Sequence, residues 1–275
     1  MSHVSSIARK LPILLAFSGV VALAGCPEDE PDPVEADTDT DTDSDTDTDL
    51  PGPTTTVSGT VYDAAGAPLA GAQIRFCRGE LCLTPAVDAS GTFDIPEVQA
   101  FPHSFEVLVP GDAARATGFA AVTLEEDVPK QLTMYVPNLD APSALGATAE
   151  WHAVGAGLRV QLDTSSLETP AFFPDATEVA GVLVDPSIWP PLDGLTNAHA
   201  VWFTSPFDYP AAGTGIPVEI DNTFGLTAGG TYEVYVGDYT TSEWLFAGTL
   251  TESGGVLTGD AQLPLMSTVV LTDPQ

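Results

Sequence analysis

From residue 56 onward, apolar and polar side chains alternate over short runs that are broken every few residues by turn-forming sequence. No apolar stripe recurs there at helical spacing. Val57-Ser58-Gly59-Thr60-Val61-Tyr62 leads into Asp63-Ala64-Ala65-Gly66, and Pro68-Leu69-Ala70-Gly71 leads into Ala72-Gln73-Ile74-Arg75-Phe76-Cys77. Asp88-Ala89-Ser90-Gly91 then precedes Thr92-Phe93-Asp94-Ile95, with further runs at 104–109 and 131–136. Alternation sends successive side chains to opposite faces of a strand, while Gly and Asp supply the backbone angles of tight turns. This pattern predicts an all-β chain of two antiparallel β-sandwich domains, over residues 56–137 and 141–275.

The boundary falls in Val136-Pro137-Asn138-Leu139-Asp140-Ala141-Pro142. Beyond it, strand-like runs are predicted at 158–162, 178–184, 198–204, 217–220, 232–239, 244–251 and 267–272, separated by loops rich in Gly, Pro, Asp and Thr. A second sandwich of immunoglobulin or fibronectin type is expected. In the first half, Gly59-x-Val61-x-Asp63-x-x-Gly66-x-Pro68-Leu69-x-Gly71-Ala72-x-Ile74, followed by Asp88-x-x-Gly91-x-Phe93, is similar to carboxypeptidase regulatory-like domains. The resemblance covers roughly residues 55 to 137. It implies a transthyretin-like (prealbumin-like) β-sandwich that serves as a spacer or binding platform and carries no catalytic residues.

The first 55 residues follow other rules. Arg9 and Lys10 precede an almost wholly apolar stretch from Leu11 to Ala24, too short for a lasting membrane span and patterned as a signal peptide over residues 1–25. Leu23-Ala24-Gly25-Cys26 resembles the lipobox of bacterial lipoproteins. That resemblance implies that Cys26 is lipidated and becomes the mature N-terminus, with membrane lipid as its partner. Two or three acyl chains make a durable anchor where one holds only marginally. The predicted location is the bacterial cell envelope, at the outer membrane, with the folded part in the periplasm or on the surface. Pro27-Glu28-Asp29-Glu30-Pro31-Asp32 resembles, over a short span, export signals of some surface lipoproteins.

Residues 26–55 read as a disordered tether. Between 27 and 50 lie 12 of the 39 acidic residues and no Lys or Arg, so like charges repel along a chain with almost nothing apolar to bury. The Asp-Thr run lacks the turn glycine and terminal Glu of a calcium loop. The formal net charge is −32, which disfavours nucleic acid as a partner.

With Cys26 assigned to lipid, Cys77 and Cys82 remain. If Arg78 to Leu81 form a hairpin loop, the two stand directly opposite one another and Phe76 faces Leu83. Alternation then places Phe76 and Leu83 inward and both cysteines outward. Opposed strand positions and an oxidising compartment favour a disulfide. Zinc is the rival, but no histidine lies near to complete its coordination.

The motifs of common catalysts are missing. His103, His152 and His199 stand alone, without His-Glu-x-x-His spacing, and there is no Gly-x-Ser-x-Gly elbow, phosphate loop or dinucleotide fingerprint. No catalytic residue, metal site or cofactor is therefore assigned. Trp202 and Trp244 fall within strand-like runs and read as core. Trp189 lies in Ser187-Ile188-Trp189-Pro190-Pro191-Leu192-Asp193-Gly194, a stiff loop predicted to present an indole beside Asp193 as a ligand surface. The expected role is non-catalytic display of β-modules that bind an envelope glycan or protein. The alternatives are an accessory or catalytic part of an envelope polysaccharide or peptide hydrolase, and a purely structural protein.

Overall fold

The computed structural model describes residues 52–79 and 81–275. Cys26, the signal-peptide pattern and the acidic run up to residue 51 lie outside the described residues. The described chain is all-β, with one 3-10 turn at Pro186–Ile188 as its helical element.

The first half comprises β1 (Thr54–Asp63), β2 (Gln73–Arg78), β3 (Leu81–Leu83), β4 (Thr92–Gln99), β5 (Pro102–Leu108), β6 (Gly118–Thr123) and β7 (Lys130–Val136). They form two sheets, of order β4-β1-β7 and β3-β2-β5-β6. In β1 the inward residues Val57, Gly59 and Val61 are buried and their neighbours are not, as alternation predicts. All pairings in this half are antiparallel except β1 with β7, which is parallel. A parallel pair needs a long crossover, and the chain from β2 to β6 provides it.

Both foreseen turn motifs are closed by their aspartates. Asp63 Oδ1 accepts from the N–H groups of Ala65 and Ala67. Asp88 Oδ1 accepts from the N–H groups of Ser90 and Thr92 and from the Ser90 hydroxyl, while its Oδ2 accepts from the Thr92 hydroxyl. These bonds favour the ionised carboxylate, so the Asp88 pKa lies far below the ordinary range. Gly91 has φ +75°, and a side chain there would run into the carbonyl of Val61.

The second half comprises β8 (Ser143–Ala144), β9 (Glu150–Ala153), β10 (Leu158–Leu162), β11 (Glu178–Leu183), β12 (Ala198–Ser205), β13 (Tyr209–Pro210), β14 (Ile216–Asp221), β15 (Thr231–Asp238), β16 (Glu243–Ser253), β17 (Val256–Gly259), β18 (Gln262–Leu263), β19 (Leu265–Met266) and β20 (Val269–Thr272). One long sheet runs β8-β11-β12-β20-β15-β16-β17-β14-β10-β9, with β18 paired to β14, and β13 pairs separately with β19. The sheet curls until β9 meets β11 and encloses an apolar core that includes Trp202, Leu158, Ile220, Val234 and Leu250.

The described residues belong to one compact unit with two apolar cores. The strands between those cores are buried on both faces. In β12, Ala200 and Trp202 enter the second-half core, whereas Val201 and Phe203 enter the core of the first half. Strand β20 divides in the same way, with Val269 and Leu271 on one side and Val270 on the other. Edge strand β6 packs against this second sheet: the Phe119 N–H donates to Thr268 Oγ1 at 3.0 Å, and the Phe119 ring meets Trp244 edge-on at 5.2 Å. Covering an edge in this way removes an unpaired row of backbone groups from solvent. Strand β6, Gly118-Phe-Ala-Ala-Val-Thr123, is not foreseen from sequence because burial on both faces erases alternation.

The β2–β3 hairpin has the foreseen register, with Phe76 opposite Leu83 and Cys77 opposite Cys82. The cysteines are joined by a disulfide. Phe76 is buried in the first-half core and Cys82 is exposed, as expected, but Cys77 is buried and Leu83 is exposed. The outer face of β2 is roofed by the turn after β15, whose Ser242 hydroxyl donates to the Cys77 carbonyl at 3.2 Å, and Leu83 lies beyond the covered area.

Candidate functional site

A cleft of about 490 Å³ opens where β2 of the first half meets the segments 170–174 and 205–209 of the second. Its lining includes Arg75, Asp208, Phe173, Tyr209 and Tyr239. Arg75 stands on the outer face of β2, directly across from Glu106 on β5. In an isolated sandwich this outer face would meet water. Here the second half covers it, and the Glu106 side chain has no exposure.

Two charged side chains, Arg75 and Asp208, line the cleft, and a third, Glu106, lies wholly buried beside Arg75. Arg75 Nη2 lies 2.5 Å from Glu106 Oε2 and 3.7 Å from Asp208 Oδ2. Asp208 occupies a left-handed backbone position, φ 64°, which Asp tolerates better than most residues. Its N–H donates to the Met266 carbonyl at 2.8 Å, which fixes the turn against β19. Burial pushes the Glu106 carboxyl up to about 7, partly opposed by the Arg75 charge. Burial, followed by repulsion from Glu106, lifts Asp208 to about 8, with Arg75 pulling it down and Asp238 adding to the rise. Four atoms in this cluster are buried without a hydrogen-bond partner: Arg75 Nε, Glu106 Oε1, Glu106 Oε2 and Asp208 Oδ1. Arg75 nevertheless pairs with Glu106 through Nη2, and its charge and hydrogen bond hold the Glu106 pKa below where burial alone would put it.

The rim is aromatic. Tyr209 donates from its hydroxyl to the Pro174 carbonyl at 2.7 Å and meets the Phe173 ring edge-on at 6.2 Å. The Phe173 N–H donates to the Pro170 carbonyl at 3.1 Å, and the Thr169 hydroxyl donates to Asp175 Oδ1 at 2.8 Å. With Pro170 and Pro174 at its ends, this loop holds Phe172 and Phe173 out toward water; both are exposed. A rigid aromatic face beside charged side chains can take an amphipathic ligand, one with apolar ring faces and hydroxyls at its edge.

The foreseen ligand surface is not assembled. The Trp189 ring is half-buried against the first-half core, and its N–H donates to the Val184 carbonyl at 3.0 Å. It lines a separate hollow of about 380 Å³ with His199 and Phe224. Asp193 lies in a different hollow, where it accepts from Lys130 Nζ at 2.7 Å and from the Thr123 N–H at 3.1 Å. The loop folds back because the indole gains apolar contact and a backbone acceptor there. Trp202 is fully buried and Trp244 packs on Phe119.

The histidines are separately engaged. His103 stacks on Phe76 and bonds the Phe101 carbonyl, and burial lowers its pKa. His152 sits between Ser143 Oγ and the Leu162 carbonyl, and His199 lies 2.7 Å from Asp273 Oδ1. Among the described residues, no group of three or more His, Cys, Asp or Glu is arranged to hold a metal ion.

Arg75, Glu106 and Asp208 were not singled out by the sequence. Glu106 follows Phe105 and precedes Val107, so alternation assigns it to solvent. One available signal is that Arg75 and Glu106 occupy matching outward positions on neighbouring predicted strands.

No family model matches the chain, and no curated protein matches it. Among solved structures, it is similar at low level to a candidate carbohydrate binding protein from Bacteroides uniformis ATCC 8492. The two are 13% identical with a TM-score of 0.25, over 80% of this chain and 100% of that one.

Proposed function

We propose that the protein is a lipid-anchored, non-catalytic binding protein of the bacterial cell envelope, and that the cleft lined by Arg75 and Asp208 takes a glycan. The observation that carries this reading is one cavity lined by the charged side chains of Arg75 and Asp208 together with the exposed ring of Phe173. A sugar ring presents a C–H face to an aromatic side chain and hydroxyls to the charged side chains, so it engages both at once. Leu23-Ala24-Gly25-Cys26 supports the anchor, and the Asp/Thr-rich stretch supports a tether that holds the folded part clear of the lipid. The aspartate-closed turns at Asp63–Gly66 and Asp88–Gly91 support reading residues 56–137 as a carboxypeptidase regulatory-like module.

Titration of the full chain with a panel of envelope and matrix oligosaccharides tests the cleft. Saturable binding is expected, weakened about tenfold or more by Phe173→Ala, the scale of one lost stacking contact plus its buried area. Equal affinity in that variant removes the cleft from the reading. Cys26→Ser is expected to abolish processing and lipid labelling, and normal labelling of that variant removes the anchor.

The raised Glu106 and Asp208 pKa values favour a second reading, a polysaccharide hydrolase with paired carboxyl groups. Both groups would have to face the sugar, and Glu106 is wholly buried beside Arg75. Product release that disappears in Glu106→Gln and Asp208→Asn would establish the hydrolase in place of the binder.

A further inference from the structure

Trp189, which the sequence singles out and the cleft at Arg75 leaves unused, stands at a hollow of its own. Asp185 caps the 3-10 turn Pro186–Ile188, and Trp189 is the residue on which that turn ends. Asp185 Oδ1 accepts from the Ser187 N–H at 2.8 Å and from the Ser187 hydroxyl at 2.6 Å. The turn brings Asp185 and Trp189 to one hollow of about 380 Å³, which they share with His199, Thr223 and Phe224. That volume lies within the range of small-molecule sites, about 300–1,000 Å³.

Each ring of the hollow is fixed by a partner of its own. The Trp189 N–H donates to the Val184 carbonyl at 3.0 Å, and its ring packs on the first-half core. Phe224 meets Trp202 edge-on at 5.8 Å. His199 Nε2 lies 2.7 Å from Asp273 Oδ1, and the imidazole meets Tyr232 edge-on at 5.5 Å. Rings fixed before binding cost a ligand little ordering entropy. The same bonds occupy the indole N–H, one imidazole nitrogen and Asp185 Oδ1. A sugar would find few partners there for its hydroxyls, and burying them unpaired is costly. An anion would face Asp185, with no Lys or Arg among the described lining residues. The Ser187 bonds hold the Asp185 pKa below the ordinary carboxylate range, so this side chain is charged at neutral pH.

We infer that this hollow is a second binding site, for an organic cation of the trimethylammonium type, which sits among Trp189, Phe224 and His199 beside Asp185. A quaternary ammonium carries methyl groups in place of N–H donors, so it enters an apolar hollow without leaving a donor unpaired. Ring faces attract such a cation, that of Trp most strongly. Asp185 Oδ2 takes no part in the Ser187 bonds and adds opposite charge at the edge. A primary ammonium brings three N–H donors and meets too few acceptors to satisfy them. The hollow shares no lining residue with the cleft at Arg75 and Asp208, so this site stands or falls apart from the glycan reading.

The experiment is calorimetric titration of the full chain with choline, with its neutral isostere that has a quaternary carbon in place of the nitrogen, and with phosphocholine. Choline is expected to bind about tenfold tighter than the isostere, the scale of one desolvated cation–π contact. Trp189→Leu keeps apolar bulk but removes the ring. It is expected to bring choline down to the level of the isostere, whose retained affinity shows that the hollow persists. Asp185→Asn keeps an acceptor for Ser187 and is expected to weaken choline severalfold while leaving the isostere unchanged. Should Trp189→Leu fail to fold, Asp185→Asn decides alone. Phosphocholine binding as tight as choline supports the site and assigns the cation to a lipid headgroup; weaker binding supports it and assigns the cation to a free solute. Equal affinity for choline and the isostere in the parent chain overturns the inference, and so does a choline preference that both variants leave intact. If none of the three binds, the site falls and the glycan cleft is untouched.

Discussion

Strand β1 and strand β12 solve opposite problems. In β1, Val57 and Val61 face a core while Ser58 and Thr60 face outward. In β12, the residues Ala200 to Thr204 are all buried, and alternate side chains enter different cores. A strand buried on one side belongs to one domain, but a strand buried on both sides ties two halves into one cooperative body. Phe203 makes the point directly: it sits on the second-half sheet, yet its ring packs within the first-half core, against Gly118 and near Met134. The two cores are therefore expected to melt together.

Phe203→Ala is the strongest way to break that comparison. Truncating a fully buried Phe costs about 3–5 kcal/mol. The loss is expected in both halves, read by tryptophan fluorescence for the second and by hydrogen exchange of β1 amides for the first. If β1 protection stayed unchanged while fluorescence shifted, the halves would be independent domains.

The acids provide a second contrast, with opposite signs. Glu106 has a folded-state pKa of about 7, above its ordinary 4.5, so the folded protein keeps a proton that the unfolded chain releases. Its contribution to stability is fully present below about pH 4.5 and is lost as pH rises through 7, on the order of 3 kcal/mol for a shift of this size. Asp208 extends the same trend to about pH 8. Asp88 and Asp163, held ionised by hydrogen bonds, contribute stability that is lost as pH falls into the acid range. Urea midpoints measured from pH 4.5 to 8.5 are expected to decline toward the alkaline end. Glu106→Gln should flatten that decline. A variant whose decline matches that of the parent would assign it to other groups.

The difference between the two kinds of strand also explains what the sequence reveals. Runs at 158–162, 178–184, 198–204 and 232–239 coincide with β10, β11, β12 and β15 to within a residue or so, because their composition is rich in β-branched and aromatic residues whichever face is buried. The Cys77–Cys82 register is legible because it is set locally by one hairpin. Long-range covering is not legible. Glu106 and Cys77 read as solvent-facing and β6 is not read at all, and each traces to the same event, the second half settling over the outer face of β2, β5 and β6. Trp189 is the converse: a loop indole that reads as presented is drawn back by apolar contact and the Val184 carbonyl. The cleft exists only where the two halves meet, so no stretch of sequence contains it.

Reducing the Cys77–Cys82 bridge sharpens the comparison more gently. The loop it closes is short, so chain-entropy reasoning assigns it about 2 kcal/mol. Cys77 is nevertheless anchored by Ser242 of the other half. Loss is therefore expected to be shared by both probes rather than confined to the hairpin, measured as urea midpoints with and without reductant. A change seen in first-half exchange alone would show that the roof over β2 transmits nothing.

The smallest effect is expected at two neighbouring phenylalanines that look alike in sequence. Phe172 is fully exposed, with its ring in solvent, whereas Phe173 is partly covered and meets Tyr209 edge-on. Phe172→Ser should shift stability by no more than about 0.5 kcal/mol, the ordinary range for a surface change. Phe173→Ser should cost about 1 kcal/mol, because it forfeits the aromatic contact together with part of its buried area. Equal costs at the two positions would mean that Phe172 has apolar cover in solution. The loop would then close over the cleft instead of standing open beside it, and the rim would have to be redrawn with both rings facing inward.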